Sequence, residues 1–118
     1  MATLRGWWEE DPELTARYYN HVLGHWGEVP ATAPGEVCEE IIRQHLQCPS
    51  LLAILSFQDW LSMDEELRYP DANAERINVP ANPRHYWRYR MHLTLEDLMK
   101  SHKFNKKMRG MIDETNRY

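Results

Sequence analysis

The chain has 118 residues, enough for at most one ordinary domain, and its 42% apolar residues allow a modest core. Its longest apolar run, Leu51–Leu55, is much too short to cross a bilayer, so no membrane is predicted. The net charge of −4 hides an asymmetry, because residues 1–75 carry 14 acids and 4 Lys or Arg, whereas residues 76–118 carry 4 acids and 10 Lys or Arg. The basic half either binds nucleic acid or pairs with the acidic half and with solvent.

The first predicted helix begins at Asp11, which precedes a proline and an acid, as helix starts usually do. Leu14, Tyr18 and Val22 recur at helical spacing, so we expect them on its buried face. Gly24 is expected to end this helix.

A second helix is predicted from about Pro34 to Gln47. We expect Val37, Ile41 and His45 or Leu46 to face inward, with Glu36, Glu39, Glu40 and Arg43 outward. Cys38 and Cys48 would lie about 15 Å apart along it, beyond disulfide reach, and neither has a CxxC partner. Both are therefore expected to be buried, inert thiols of a cytoplasmic protein.

The run Ser50–Phe57 is the one convincing strand, and it is apolar on both faces, as strands inside parallel sheets are. No partner strand follows, so either its sheet lies elsewhere or the run becomes helical. Gln58 would then stand at the carboxyl end of the strand, where barrels and open sheets place their active sites. Its amide either binds a ligand hydroxyl or merely closes the strand end.

Further along, a short helix is predicted from Gln58 to about Arg68, and a loop from Asp71 to Pro83. Two more helices are predicted, from Thr94 to about Ser101 with a capping box, and from Phe104 to Asn116 with Met108, Met111 and Ile112 inward. The predicted fold is mainly α with one or two short strands.

Metal and acid–base patterns are weak in this chain. His21 and His25 stand four residues apart, but Gly24 intervenes and no Glu follows His21, which favours polar groups at a helix end over a zinc site. The acidic clusters lie in polar surroundings that leave a carboxylate unsuited to acid catalysis. Asp59, next to the buried run, is the exception, and it could equally cap the following helix.

The segment Arg76–Arg90 packs four arginines, two asparagines, two prolines and several aromatic rings into fifteen residues. Planar donors and flat rings suit either sugars or single-stranded nucleic acid. These two ligand classes remain alternatives at the level of composition.

Three separated motifs carry a resemblance to one family. The motifs are Thr3-Leu-Arg-Gly-Trp-Trp8, Phe57-Gln-Asp59, and Arg76-Ile-Asn-Val-Pro80 followed by Tyr86-Trp-Arg-Tyr-Arg90. Together they resemble the C-terminal part of the 4-α-glucanotransferases, also called amylomaltases or disproportionating enzymes. The pattern is most similar to the longer, plant-cytosolic-type branch. It runs in matching order over essentially all 118 residues, so residues 1–118 are expected to form one C-terminal piece of a catalytic barrel.

The resemblance implies a (β/α)8 barrel, of which this chain would supply the last β/α units, and transfer of α-1,4-glucan segments with retention of configuration. It places none of the three catalytic carboxylates in this chain, the third lying immediately before the position of Met1. The chain alone is therefore expected to be inactive. The resemblance implies no cofactor and no metal.

The resemblance also assigns roles to single residues. Gln58 and Asn78 would contact the bound glucan, while Arg76, Trp87, Arg88 and Arg90 would brace the glucan-facing loop. The expected partner is an α-1,4-glucan or maltooligosaccharide, and the exposed run at Leu51–Phe57 would promote self-association. The alternative is a small basic and aromatic module that binds single-stranded nucleic acid.

Overall fold

The computed structural model describes residues 3–72, 83–84 and 90–117, and within these ranges the chain is mainly helical. The helices are α1 (Leu4–Glu10), α2 (Pro12–Arg17), a π-helix (Tyr18–Val22), α3 (Gly35–Gln47), α4 (Phe57–Leu61), α5 (Leu95–Lys100) and α6 (His102–Glu114). The mainly α prediction is confirmed. None of the helices in this part of the chain is long and apolar enough to cross a membrane.

Helix α1 was not predicted. Thr3 caps it, because its hydroxyl accepts a hydrogen bond from the Gly6 N–H at 3.3 Å. Asp11 ends α1 and caps α2, with its carboxylate accepting from the N–H groups of Glu13 and Leu14. The predicted helix start at Asp11 is therefore confirmed.

The predicted buried face of that first helix is wrong at Leu14 and Val22, whereas Tyr18 is half-buried against the core, in the predicted direction. Leu14 is 40% exposed and Val22 is 53% exposed, whereas Thr15 and Leu23 are buried. At Val22 the cause is the π-helix, in which the Leu23 N–H donates to the Tyr18 carbonyl five residues back at 3.1 Å. This wider turn rotates the following side chains away from the 3.6-residue spacing. Gly24, at φ 73°, lies just beyond the helix end as predicted.

Helix α3 begins and ends almost where it was predicted, and Val37, Ile41 and Leu46 are buried as expected, while His45 is exposed. It contributes to two core clusters. The first cluster consists of Trp8, Leu23, Ala33, Val37, Cys38 and Ile41. The second cluster consists of Ile42, Leu46, Leu61, Met63, Phe104 and Met111.

The strand predicted over Ser50–Phe57 is wrong for this chain, and the described residues contain no strand at all. Residues 51–56 are irregular and α4 begins at Phe57. Ala53 and Leu55 pack against the second cluster, whereas Leu51, Leu52 and Ile54 are 94%, 73% and 89% exposed. A strand needs a neighbouring strand for its backbone hydrogen bonds, and the described residues supply none.

The second half follows the prediction more closely. Helix α4 ends at Leu61, earlier than expected, and turns lead on to Arg68. Thr94 and Asp97 form the predicted capping box at the start of α5. In α6, Phe104 and Met111 are buried in the second cluster.

Ion pairs join the acidic and basic halves of the chain. Lys107 Nζ lies 3.2 Å from Glu39 Oε2, and Arg43 Nε lies 3.1 Å from Glu114 Oε2, so two pairs connect α6 to α3. These surface pairs each contribute only about 0–1 kcal/mol. The pair of Lys107 with Glu39 nevertheless directs basic charge of the second half toward the acidic half, as one of the two sequence interpretations had it.

The start of α3 packs closely against the backbone at Met63, and two glycine substitutions test this packing. A Cβ added at Gly35 would lie 2.6 Å from the Met63 carbonyl oxygen, whereas a Cβ at Gly110 in α6 would meet nothing within 4 Å. Gly35→Ala should lower the free energy of unfolding by about 1–3 kcal/mol. Gly110→Ala should raise it by about 0.5–1 kcal/mol, because alanine is the better helix former.

Urea unfolding followed by circular dichroism measures both substitutions against the parent chain. If Gly35→Ala and Gly110→Ala change the free energy of unfolding equally, the close approach of α3 to Met63 is contradicted.

Candidate functional site

Two of the sequence motifs meet in space. The Leu4 N–H, in the motif Thr3–Trp8, donates to Asp59 Oδ1 at 2.8 Å, across 55 residues of sequence. Ser56, not Asp59, caps α4, because its hydroxyl accepts from the Asp59 N–H at 3.3 Å. The interpretation of Asp59 as the helix cap is therefore wrong, and its carboxylate instead holds the first turn of α1.

A cleft of about 460 Å³ opens beside this contact. It is lined by Thr3, Leu4, Trp7, Tyr18, Ile41, Ile42, His45, Leu55 and Asp59. The lining therefore draws on α1, the π-helix, α3 and the segment around α4. Its walls are aliphatic and aromatic, with hydroxyl, imidazole and carboxylate groups among them.

The aromatic wall is held in a defined geometry. The rings of Trp7 and Tyr18 meet edge to face, with centroids 5.4 Å apart and planes at 84°. The Tyr18 hydroxyl lies 3.5 Å from Gln44 Oε1, to which it donates. Burial, and secondly the Glu40 carboxylate, raise the pKa of Tyr18, so its hydroxyl stays protonated near neutral pH.

His45 adds a second polar group to the cleft. Its Nδ1 lies 2.8 Å from the Ile41 carbonyl oxygen, which requires Nδ1 to carry the proton. In the neutral ring Nε2 is then a hydrogen-bond acceptor. A cleft that combines ring faces with a hydroxyl oxygen and an imidazole nitrogen, both able to accept hydrogen bonds, suits a ligand with apolar ring faces and hydroxyl edges.

The lining of the cleft favours binding over catalysis. Retaining glycoside chemistry needs two carboxyl groups about 5–5.5 Å apart. Asp59 is the one carboxylate among the lining residues, and one of its oxygens already accepts from Leu4. The described cleft therefore lacks the pair that a covalent glycosyl intermediate requires.

Of the predicted site residues, the structure describes Gln58 and Arg90. Gln58 is 6% exposed in the first turn of α4 and does not line the cleft, although Asp59 beside it does. Arg90 is exposed. Four of the predicted site residues lie outside the described residues: Arg76, Asn78, Trp87 and Arg88.

Sequence reasoning missed Trp7, Tyr18 and His45 as members of one site. The adjacent tryptophans Trp7 and Trp8 were a visible signal, because two neighbouring large aromatic side chains are uncommon close to a chain end. Tyr18 and His45 carried no such signal, since each fits an ordinary helical pattern.

The two histidines of the weak metal pattern contact different partners. The ring of His21 packs edge to face on Trp26 at 5.6 Å. His25 Nε2 lies 2.7 Å from Glu40 Oε2, and its ring packs on Tyr19 at 5.2 Å. Both therefore serve local contacts around the π-helix.

The cysteines also differ from each other, and both are free thiols. Cys38 is buried, and burial raises its pKa, as expected of an inert thiol. Cys48 is exposed, so the prediction of a buried thiol is wrong there. A hydrogen bond with the Ser50 side chain, and secondly one with the Ser50 backbone, lower the pKa of Cys48.

Comparison with known proteins identifies a family and a relative. The family model described as 4-alpha-glucanotransferase matches residues 1–95. The 4-alpha-glucanotransferase DPE2 of rice (Oryza sativa subsp. japonica) is 43% identical over 98 residues, which cover 83% of this chain and 10% of the rice protein. The chain thus spans about a tenth of the length of this relative. No solved structure matches, and neither match supports a nucleic-acid-binding module.

The contact between Leu4 and Asp59 should contribute measurably to stability. Asp59→Ala leaves the partly buried Leu4 N–H without its acceptor, which should lower the free energy of unfolding by about 1–3 kcal/mol. Asp59→Asn keeps an acceptor oxygen and should lose less. Urea titrations read by tryptophan fluorescence compare the two, and identical losses would mean that the hydrogen bond does not hold α1.

The exposed thiol gives a pH-dependent test. Because the thiolate is the reactive form, a lowered pKa makes Cys48 react with iodoacetamide at lower pH than an ordinary cysteine. Ser50→Ala should move the pH midpoint of this reaction upward, toward the ordinary value. Cys48→Ser is the control, since the remaining cysteine, buried Cys38, should then react only on unfolding. If Ser50→Ala leaves the pH profile of the iodoacetamide reaction unchanged, the role of Ser50 is refuted.

Proposed function

Because the chain belongs to the 4-alpha-glucanotransferase family, we propose that it forms part of an enzyme that transfers α-1,4-glucan segments between maltooligosaccharides with retention of configuration. The observation that carries this proposal is the hydrogen bond between Leu4 and Asp59, which joins two of the family-like motifs beside one cleft. The ring faces and polar groups of that cleft suit a pyranose, which has apolar C–H faces and hydroxyl edges.

We propose that residues 1–118 form the last β/α units of a larger (β/α)8 barrel in a cytosolic enzyme. Residues 52–55 support this, because their side chains alternate between the core and solvent in the manner of a strand. Ala53 and Leu55 face the second cluster, while Leu52 and Ile54 face outward. Neighbouring strands would supply the backbone partners and would cover the outward leucine and isoleucine.

Within that enzyme, Gln58 and Asn78 are the proposed glucan contacts, and Arg76, Trp87, Arg88 and Arg90 brace the adjoining loop. Gln58 is preceded by the strand-like run and followed by Asp59, which lines the cleft. An amide at the carboxyl end of a barrel strand is placed to exchange hydrogen bonds with a sugar hydroxyl.

The chain by itself is proposed to be inactive. Covalent transfer needs a nucleophile and an acid/base, and the cleft offers one carboxylate that is already engaged with Leu4. The exposed side chains of Leu51, Leu52 and Ile54 are proposed to drive self-association of the isolated chain, because burying these large apolar groups in a partner is favourable.

A chimera tests the proposed function. The matching 98-residue stretch of the rice relative is replaced by the corresponding stretch of this chain, and the product is incubated with maltotriose. Release of glucose together with longer glucans is expected. Gln58→Ala and Asn78→Ala in the chimera should each reduce transfer by about tenfold, the effect of one lost hydrogen bond to substrate.

Leu95→Ala, at an exposed position of α5, is the matched control and should leave transfer unchanged. The isolated chain should give no transfer and should elute above its monomer mass. A chimera that folds, as judged by circular dichroism and elution volume, yet transfers no glucan would overturn the proposal.

A further inference from the structure

The side chain of Trp26 is 74% exposed. An indole ring left in water forgoes the burial that normally stabilises a large aromatic side chain. Trp26 does not line the cleft described above. Its exposure is therefore unexplained by the core and by the candidate site.

The ring is nevertheless held in place. The π-helix ends at Val22, and the glycines on either side of Trp26, Gly24 and Gly27, adopt positive φ of 73° and 119°, which bend the chain there. This turn brings Trp26 against His21, with their ring planes at 87°. An edge-to-face contact covers at most one face of the indole, so at least one face remains open to solvent.

The surroundings of Trp26 favour a sugar over a protein. A stable protein interface covers about 800 Å² on each partner, several times the area of one indole. The exposed neighbours of Trp26 are mostly polar or glycine, and beside them His25 and Glu40 form a polar pair at 2.7 Å. One open ring face with hydrogen-bonding groups nearby matches a single pyranose unit.

The charge nearby argues against a nucleic acid. Glu28 is exposed in the same turn and Glu40 stands beside His25. Residues 1–75 carry 14 acids and 4 Lys or Arg, so a phosphate backbone would be repelled. A neutral ligand meets no such barrier.

We propose that Trp26 is a surface site for α-1,4-glucan, separate from the cleft, on which one glucose unit of the chain stacks while His21 fixes the ring. The choice of glucan as the ligand rests on the proposed function. Such a site holds a polymeric substrate near the enzyme without taking part in the transfer reaction.

The test uses β-cyclodextrin, a ring of seven α-1,4-linked glucose units, titrated into the 118-residue chain and followed by calorimetry. Trp26→Ala should weaken binding by at least about tenfold, the effect of losing one stacked ring face. Trp26→Phe should retain part of the binding, and His21→Ala should weaken it less than Trp26→Ala. Met99→Ala, an equally exposed apolar position on α5, is the matched control and should bind like the parent chain.

Circular dichroism confirms that each variant is folded, which is expected because Trp26 contributes little buried surface. Binding that is absent, or equal in Trp26→Ala and the parent chain, would overturn the inference.

The maltotriose assay separates this inference from the proposed function. If the chimera transfers glucan but Trp26→Ala leaves cyclodextrin binding unchanged, the surface site is refuted and the proposed function stands. A folded chimera that fails to transfer, while the chain binds cyclodextrin through Trp26, refutes the proposed transferase role and leaves glucan binding standing. If Trp26→Ala abolishes transfer of maltotriose, Trp26 belongs to the reaction site and the surface-site proposal is wrong.

Discussion

The burial of α3 on two of its faces is the constraint on which the rest of the structure depends. The first cluster contains Val37, Cys38 and Ile41 of α3, and the second cluster contains Ile42 and Leu46 of the same helix. A helix placed between two clusters fixes the elements on either side of it relative to one another, because each must match the same rigid surface. Thus α1 and the π-helix lie on one side, and α4 and α6 on the other.

The candidate cleft lies along the seam between these two sides. Leu4 packs against both clusters, and its N–H is bound by Asp59 from the far side of α3. Tyr18 comes from the π-helix and completes the aromatic wall. The cleft is thus a consequence of how two cores share one helix, which is why no single stretch of sequence reveals it.

Two errors of prediction have identifiable physical causes. Val22 was expected to be buried because a 3.6-residue period was assumed, and the π-helix breaks that period where the Leu23 N–H donates to the Tyr18 carbonyl five residues back. The run 51–56 has the composition of a buried strand, yet a strand is defined by its neighbour. With no neighbouring strand among the described residues, the run stays irregular, and Leu51, Leu52 and Ile54 are exposed.

The sequence by itself determined the local features and the family: the Asp11 cap, the extent of α3, the capping box at Thr94, and the motifs shared with glucanotransferases. These depend on residues close together in the chain or on recognisable patterns. Only the tertiary structure decided that Asp59 binds Leu4, that Tyr18 and His45 line a cleft with Trp7, and that Trp26 stays exposed. The reason is that such contacts join residues far apart in sequence, and their geometry is set by packing around α3 and not by local preference.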